Sequence, residues 1–321
     1  MTILQILNYA TNKVKETSDS PSLDAEVLLS HVLDESKEHL LTNPNRVITP
    51  KQEKQFKILL ARRLKNWPVA YLTNQKEFFG LKFYVDVNVL IPRPETELLV
   101  DEVLKYHTLH PKPLGKAASS AYTLLDIGTG AGNIAISIAK NLSLHPWGGK
   151  LNIIATDVSA KALKVARQNA KLHGVENQIT FVHSDLLIGP NFTHLGRSSQ
   201  IGKVSPDIIV TNLPYIPSAR IPYLDPSVKD FEPLVALDGG EDGFDLYRKL
   251  FAQIKQKKWN PKLIVGEIDY THGELAVNEA LKFFPNAAVE VKTDLAHKQR
   301  ILSIYSVNRQ GSRAKRGVLT D

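Results

Sequence analysis

Asn212-Leu213-Pro214-Tyr215 follows Asp207-Ile208-Ile209-Val210-Thr211, a short apolar run that reads as a buried strand. A strand ending in Asn-x-Pro-Tyr gathers a side-chain amide, a carbonyl turned outward by proline and a flat ring at one point. Such a set can grip a planar NH2 group, either a glutamine amide or the amino group of adenine. An amide nitrogen is a poor nucleophile because its lone pair is delocalised into the carbonyl. Two acceptors on its N–H bonds would draw electron density toward nitrogen and fix its direction. Asn212 can offer its side-chain oxygen and Leu213 its carbonyl, with Pro214 holding that carbonyl and Tyr215 lying against the planar group. Taken alone, the segment is equally an ordinary strand-ending turn, since Asn and Pro are common there.

Upstream, Leu125-Asp126-Ile127-Gly128-Thr129-Gly130-Ala131-Gly132 has the form of a strand that turns through glycines into a helix. Glycines at Gly128, Gly130 and Gly132 let the backbone turn tightly and approach a ligand. Asp157 ends the next strand, where a carboxylate can accept both hydroxyls of a ribose, and Ser159 is placed to cap the helix that follows. Asp185, after the third strand, could accept from an adenine amino group. Three acidic residues, Asp126, Asp157 and Asp185, thus follow successive strand ends, the edge at which open α/β sheets bind ligands. Pyrophosphate cofactors prefer G-x-G-x-x-G; the spacing here is G-x-G-x-G among carboxylates. A cationic sulfonium nucleoside suits that setting better, so S-adenosylmethionine is the expected cofactor.

These sites need a scaffold, and 321 residues suggest two domains. A hydrophobic fraction of 43% and a charged fraction of 23% fit an ordinary globular protein. Cys is absent, which excludes disulfides, thiolate catalysis and thiolate metal sites. His107 and His110 could share a helix face, but nothing acidic converges on them, and no metal site is expected. No apolar run reaches membrane-helix length, and Met1-Thr2-Ile3-Leu4-Gln5 lacks a basic segment, so a cytoplasmic protein is expected. The net charge of +7 admits an acidic partner without establishing one.

Residues 1–74 read as an all-α domain. Leu4, Leu7, Ala10 and Val14 keep helical spacing, as do Ala25, Leu28, Leu29, Val32 and Leu33. A third helix runs near Gln52–Lys65, and Ser22 and Asp24 suit a helix start. Residues 75–92 read as a β-hairpin linker, with Phe78, Phe79, Phe83, Val85, Val87 and Val89 around Gly80. Pro92-Arg93-Pro94 then stiffens the chain ahead of a helix starting at Glu95. From 93 to 308 strands and helices alternate. Strands are expected at Tyr122–Asp126, Leu151–Thr156, Ile179–His183, Asp207–Thr211, Leu263–Glu267, Ala287–Thr293 and Ile301–Val307. Helices are expected near Ala131–Ser143, Ser159–His173, Gly243–Lys257 and His272–Phe283. That order gives an α/β, Rossmann-like fold with a mostly parallel sheet covered on both faces. Residues 111–121, 145–150 and 189–205 are loop-like, and residues 309–321 form a basic tail expected to be disordered.

Taken together, these motifs resemble the release-factor glutamine methyltransferases along nearly the whole chain. The residues that carry the likeness include Leu23-Asp24-Ala25-Glu26, Ala70-Tyr71-Leu72 and Glu77-Phe78-Phe79-Gly80. Most specific is Pro92-Arg93-Pro94-Glu95-Thr96-Glu97. Further on come the glycine turn, Ser184-Asp185-Leu186, Glu232-Pro233-Leu234-Val235-Ala236-Leu237-Asp238-Gly239-Gly240-Glu241-Asp242-Gly243, Glu267 and Asp294-Leu295-Ala296. The resemblance implies a five-helix N-terminal domain that recognises release factors, and a seven-stranded S-adenosylmethionine-dependent methyltransferase domain. The reaction it implies is methylation of N5 of the glutamine in a Gly-Gly-Gln loop, supporting translation termination. Gly128, Thr129, Gly130, Ala131, Gly132, Asp157, Asp185, Leu186 and Asn212 would line the cofactor; Asn212, Leu213, Pro214 and Tyr215 would grip the glutamine.

The chain departs from the family's usual pattern at two places. Leucine occupies position 213 where the family has proline, and Asp269 stands where glycine is usual. Asn-Leu-Pro-Tyr also resembles the motif of adenine-N6 dimethyltransferases of ribosomal RNA, and an adenine-N6 methyltransferase acting on RNA or DNA is the first alternative. That rival has no part for the helical front domain or for Pro-Arg-Pro-Glu-Thr-Glu. A cofactor-binding module without turnover is the second. A monomer acting on release factors is expected, with no nucleic acid required, although the basic tail could contact it.

Overall fold

The computed structural model describes residues 1–110, 122–143, 151–189 and 205–306. The loop-like stretches 111–121 and 145–150, most of 189–205 and the basic tail 309–321 lie outside them.

Five helices come first: α1 (Ile3–Val14), α2 (Pro21–Leu33), α3 (Lys37–Thr42), α4 (Pro50–Arg63) and α5 (Val69–Thr73). Thr2 with Gln5, and Thr49 with Gln52, form capping boxes that start α1 and α4. Gln52 is therefore inside α4, which begins two residues before the expected Gln52. Ser20, not Ser22, precedes α2, because Pro21 suits a first turn that has no N–H to lose. The buried stripe of α1 is Ile3, Ile6, Ala10 and Val14, while Leu4 is half exposed. Both stripes fit a 3.6-residue period; the packing against Leu28 and Leu29 selects the isoleucine one.

The hairpin, β1 (Gln75–Phe78) and β2 (Leu81–Tyr84), is shorter than the pattern suggested. Phe79 (φ 51°) and Gly80 (φ 70°) both lie in the left-handed region, as a two-residue hairpin turn requires. Past Tyr84 the chain leaves the ladder, and Val85, Val89 and Ile91 pack with Tyr71, Ala131, Ala162 and Val165. A 3-10 turn, Pro94–Thr96, then leads into α6 (Glu97–Leu109).

Seven strands follow: β3 (Tyr122–Ile127), β4 (Leu151–Asp157), β5 (Ile179–His183), β6 (Ile208–Thr211), β7 (Leu263–Glu267), β8 (Ala288–Thr293) and β9 (Gln299–Tyr305). Their order is β5-β4-β3-β6-β7-β9-β8, parallel from β5 to β7 and antiparallel at β9 and β8. Helices α7 (Asn133–Ser143), α8 (Ala160–Leu172), α9 (Asp245–Gln256) and α10 (Gly273–Phe283) connect them. Successive residues of the central strands serve opposite cores. Leu124, Ile153, Ile208 and Leu263 pack with Leu99, Val100 and Val103 of α6, whereas Leu125, Ile154, Ile209 and Ile264 pack with Phe251 and Ile254 of α9. This two-sided burial explains why the strands read as continuous apolar runs rather than alternating ones.

Candidate active site

β3 sits between β4 and β6, so the connections leaving its end diverge and open a crevice at the carboxyl edge of the sheet. A cavity of about 230 Å³ lies there. Its wall takes Gly128 and Gly130 from the turn after β3, Asp157 from β4, Asp185 and Leu186 after β5, and Asn212, Leu213 and Pro214 after β6. The linker (Asn88, Val89, Leu90) and the loop at Pro233 and Val235 close the outer side. The sequence had pointed to the strand-end residues as the site; the last two groups it had marked only as a linker and as a family motif, with no place at the cavity.

Gly128 (φ 72°) and Gly130 (φ 54°) adopt backbone that side chains rarely take, and a Cβ on Gly130 would meet open space. The Gly130 N–H donates to Asp157 Oδ2 at 2.8 Å, and the Ser159 N–H donates to Oδ1 at 2.8 Å. Asp157 is 9% exposed; burial pushes its carboxyl up, against those two donors. A carboxylate has about four acceptor positions, so Asp157 keeps capacity to accept from neighbouring hydroxyls. Ser159 caps α8 by accepting from the Ala162 N–H, as its position suggested.

Thr129, Ala131 and Gly132 do not line the cavity. The Thr129 hydroxyl donates to Asp126 Oδ2 at 2.6 Å. Ala131 packs under the linker, and its carbonyl accepts from Asn169. A Cβ on Gly132 would stand 2.8 Å from Ile136 Cδ1 and 3.2 Å from Ala166 Cβ, so this glycine serves close contact between α7 and α8. Asp126 is also turned inward: fully buried, its carboxyl is pushed up to about 7 by burial. Asp185 does reach the rim, where Lys249 pairs with it at 2.6 Å. Leu186 holds a positive φ of 53° with its carbonyl bound by the Ser184 hydroxyl, and presents its side chain to the cavity.

At the acceptor segment, Asn212 Nδ2 donates to Thr96 Oγ1 (3.0 Å) and to Glu267 Oε2 (3.1 Å). Its Oδ1 takes no hydrogen bond among the described residues. Tyr215 is off the cavity wall and donates its hydroxyl to Glu267 Oε1 at 2.9 Å. Glu267 is 1% exposed; burial pushes its carboxyl up, and the Thr96 and Tyr215 hydroxyls oppose that push. Leu213 is buried at 3% and would sit 3.6 Å from a Cβ on Gly128. Anchoring in the core thus replaces the stiffness that a proline would give. Main chain 216–218 pairs with 237–240, through Ile216 N–H to Leu237 O and Ser218 N–H to Gly240 O. A Cβ on Gly239 would lie 2.8 Å from Pro214 O and from Tyr215 Cα, which explains a glycine there. Glu232 binds the Ile91 N–H (3.0 Å) and Arg93 (2.5 Å), joining linker to loop. Asp269 pairs with Arg220 at 3.3 Å, and among the described residues no cluster of metal-binding side chains occurs.

The family of the PrmC N-terminal domain matches residues 5–73, and a methyltransferase domain family matches residues 118–192. The release factor glutamine methyltransferase of Clostridium acetobutylicum is 34% identical, over 94% of this chain and 98% of its own. That of Bacillus cereus is 33% identical over the same shares. This chain belongs to the release factor glutamine methyltransferase family.

The chain is also 33% identical to the bifunctional methyltransferase of Rickettsia typhi, over 98% of this chain and 59% of that one. Among solved structures, the catalytic domain of hMettl16 in complex with a 3′UTR hairpin aligns with a TM-score of 0.52 at 14% identity, covering 83% of this chain and 86% of that one. That likeness shows a shared methyltransferase fold and no more. Thr96 and Glu267, which hold the Asn212 amide, are residues that sequence reasoning left without a role. The signals were present, since Thr96 lies inside Pro-Arg-Pro-Glu-Thr-Glu and Glu267 ends an otherwise apolar strand.

Proposed function

We propose that this enzyme transfers a methyl group from S-adenosylmethionine to N5 of the glutamine in the Gly-Gly-Gln motif of peptide chain release factors. The observation that carries this reading is the Asn212 amide, tied by its nitrogen to Thr96 and Glu267 while the side chain lies on the cavity wall. An oxygen held that way is a fixed acceptor for one N–H of a planar NH2 group, and the Leu213 carbonyl takes the other. Holding the nitrogen in line contributes up to about 7–11 kcal/mol of the barrier in well-oriented reactions. The residues present fit a sulfonium nucleoside. Asp157 would accept from ribose hydroxyls, Gly128 and Gly130 leave room for close approach, Asp185 would accept from the adenine amino group, and Leu186 and Leu246 offer an apolar wall. When bound, the cofactor would supply an electrophilic methyl group, its sulfonium sulfur leaving as a neutral thioether as the S–CH3 bond gives way to N–CH3, and the amide nitrogen would then release one proton to solvent.

In this reading residues 1–74 recognise the release factor, 75–92 link, and 93–308 catalyse, in a monomer acting in the cytoplasm. Relatives named for release factor methylation over nearly the full length support the substrate. Labelled S-adenosylmethionine should transfer label to purified release factor at raised as well as low salt. Transfer to RNA instead, collapsing as salt rises, would favour the adenine reading.

A further inference from the structure

An asparagine amide is nearly symmetric in shape, and turned over it would present NH2 to the acceptor pocket and repel an amino group. Something must set its sense. Glu267 Oε2 receives both Asn212 Nδ2 at 3.1 Å and the Thr96 hydroxyl at 2.6 Å, while Oε1 receives the Tyr215 hydroxyl at 2.9 Å. A carboxylate only accepts. Because the single Thr96 proton goes to Glu267, the Thr96 oxygen can only accept from Asn212 Nδ2, at 3.0 Å. Both neighbours of that nitrogen are therefore acceptors. Reversing the amide would press Oδ1 against two oxygens in a buried site, where unpaired polar groups are costly. Glu267 itself is 1% exposed and does not line the cavity, so its hydrogen bonds are spent on the residues around it.

We propose that Glu267 is a positioning residue that sets the polarity of the acceptor pocket, making it select an NH2-bearing group over an oxygen-bearing one of the same shape. This rests on the reading above that Asn212 grips the substrate amide. In substrate terms the pocket should prefer glutamine to glutamate at the reacting position, and that preference should be written by Glu267 through Asn212.

Glu267→Gln keeps size and adds an NH2, which lets Asn212 turn over. Full-length wild type and variant are compared on release factors carrying Gly-Gly-Gln or Gly-Gly-Glu, together with kcat, KM, S-adenosylmethionine affinity and melting temperature. In the variant, kcat/KM on the glutamine form should fall about tenfold to a hundredfold with cofactor affinity retained. The binding preference for Gln over Glu should narrow, a change that mere loosening of the fold would not produce. An unchanged preference with near-normal turnover would overturn the role. Should Glu267→Gln fail to fold, Thr96→Val answers the same question. It should narrow the preference, and Thr96→Ser, which keeps the hydroxyl, should restore it; a Thr96→Val protein with full preference overturns the proposal. A wild-type chain inactive on every release factor counts against the proposed function, whereas an active wild type beside an indifferent Glu267→Gln counts against Glu267 alone.

Discussion

Asn212 and Asp157 both lie on the cavity wall, yet the proposed function assigns them different ligands, and that separates their variants. Asn212→Ala removes an acceptor for the substrate N–H, at about 1–3 kcal/mol for the unpaired group, and should cut kcat while leaving S-adenosylmethionine affinity intact. Asp157→Ala frees the Gly130 and Ser159 N–H groups and should mainly raise the cofactor dissociation constant, as titration calorimetry would read. Asp126 supplies a prediction in pH. Its carboxyl ordinarily titrates near 3.8 but is pushed up to about 7 by burial, so the folded chain keeps a proton that the unfolded chain gives up. The folded state therefore binds more protons between these values, and its stability should fall as pH rises through that window and level off above it. Asp126→Asn should flatten the slope, which denaturation midpoints at about pH 5 and about pH 8 would reveal.

At the scale of elements, much was legible because local chemistry was strong. β5 and β7 have the bounds their apolar runs suggested, and most other strands differ by one or two residues. Where two choices shared one period, as with Leu4 and Ile3 in α1, only tertiary packing could choose. Contacts between distant elements were not legible at all. Asn169 of α8 clasps the hairpin by accepting from the Tyr84 N–H (2.8 Å) and donating to Tyr84 O and Ala131 O (both 2.9 Å), yet in sequence it is one polar residue on a helix face. Asn169→Ala would strand these buried groups, and a loss of at least about 1–3 kcal/mol should appear as a lower melting temperature. Gly239→Ala tests a different joint. Its Cβ would collide with the main chain of Pro214 and Tyr215, so turnover should fall well before cofactor affinity does, as paired kinetic and binding assays would show.

At the scale of the molecule, the two ends of the proposed grip come from segments far apart in the chain. Thr96 stands at the start of α6, Asn212 after β6 and Glu267 at the end of β7, and one hydrogen-bonded group joins all three. The fold class, the cofactor turn and the acceptor motif could each be read locally, but this junction exists only once the parallel sheet brings strand ends side by side. It also accounts for a specific element, Pro-Arg-Pro-Glu-Thr-Glu, lying so far ahead of the motif it serves. Arg93 and Glu232 add a second tie from that element to the loop over the cavity, so the linker contributes to the site as well as to its support. The central claim is tested most directly by site-resolved mass spectrometry of a release factor incubated with this enzyme and S-adenosylmethionine. The account predicts one added methyl group on the Gly-Gly-Gln glutamine, formed about tenfold to a hundredfold more slowly when Asn212→Ala replaces the wild type; an unmodified glutamine with the wild type, or an undiminished rate with Asn212→Ala, would contradict it.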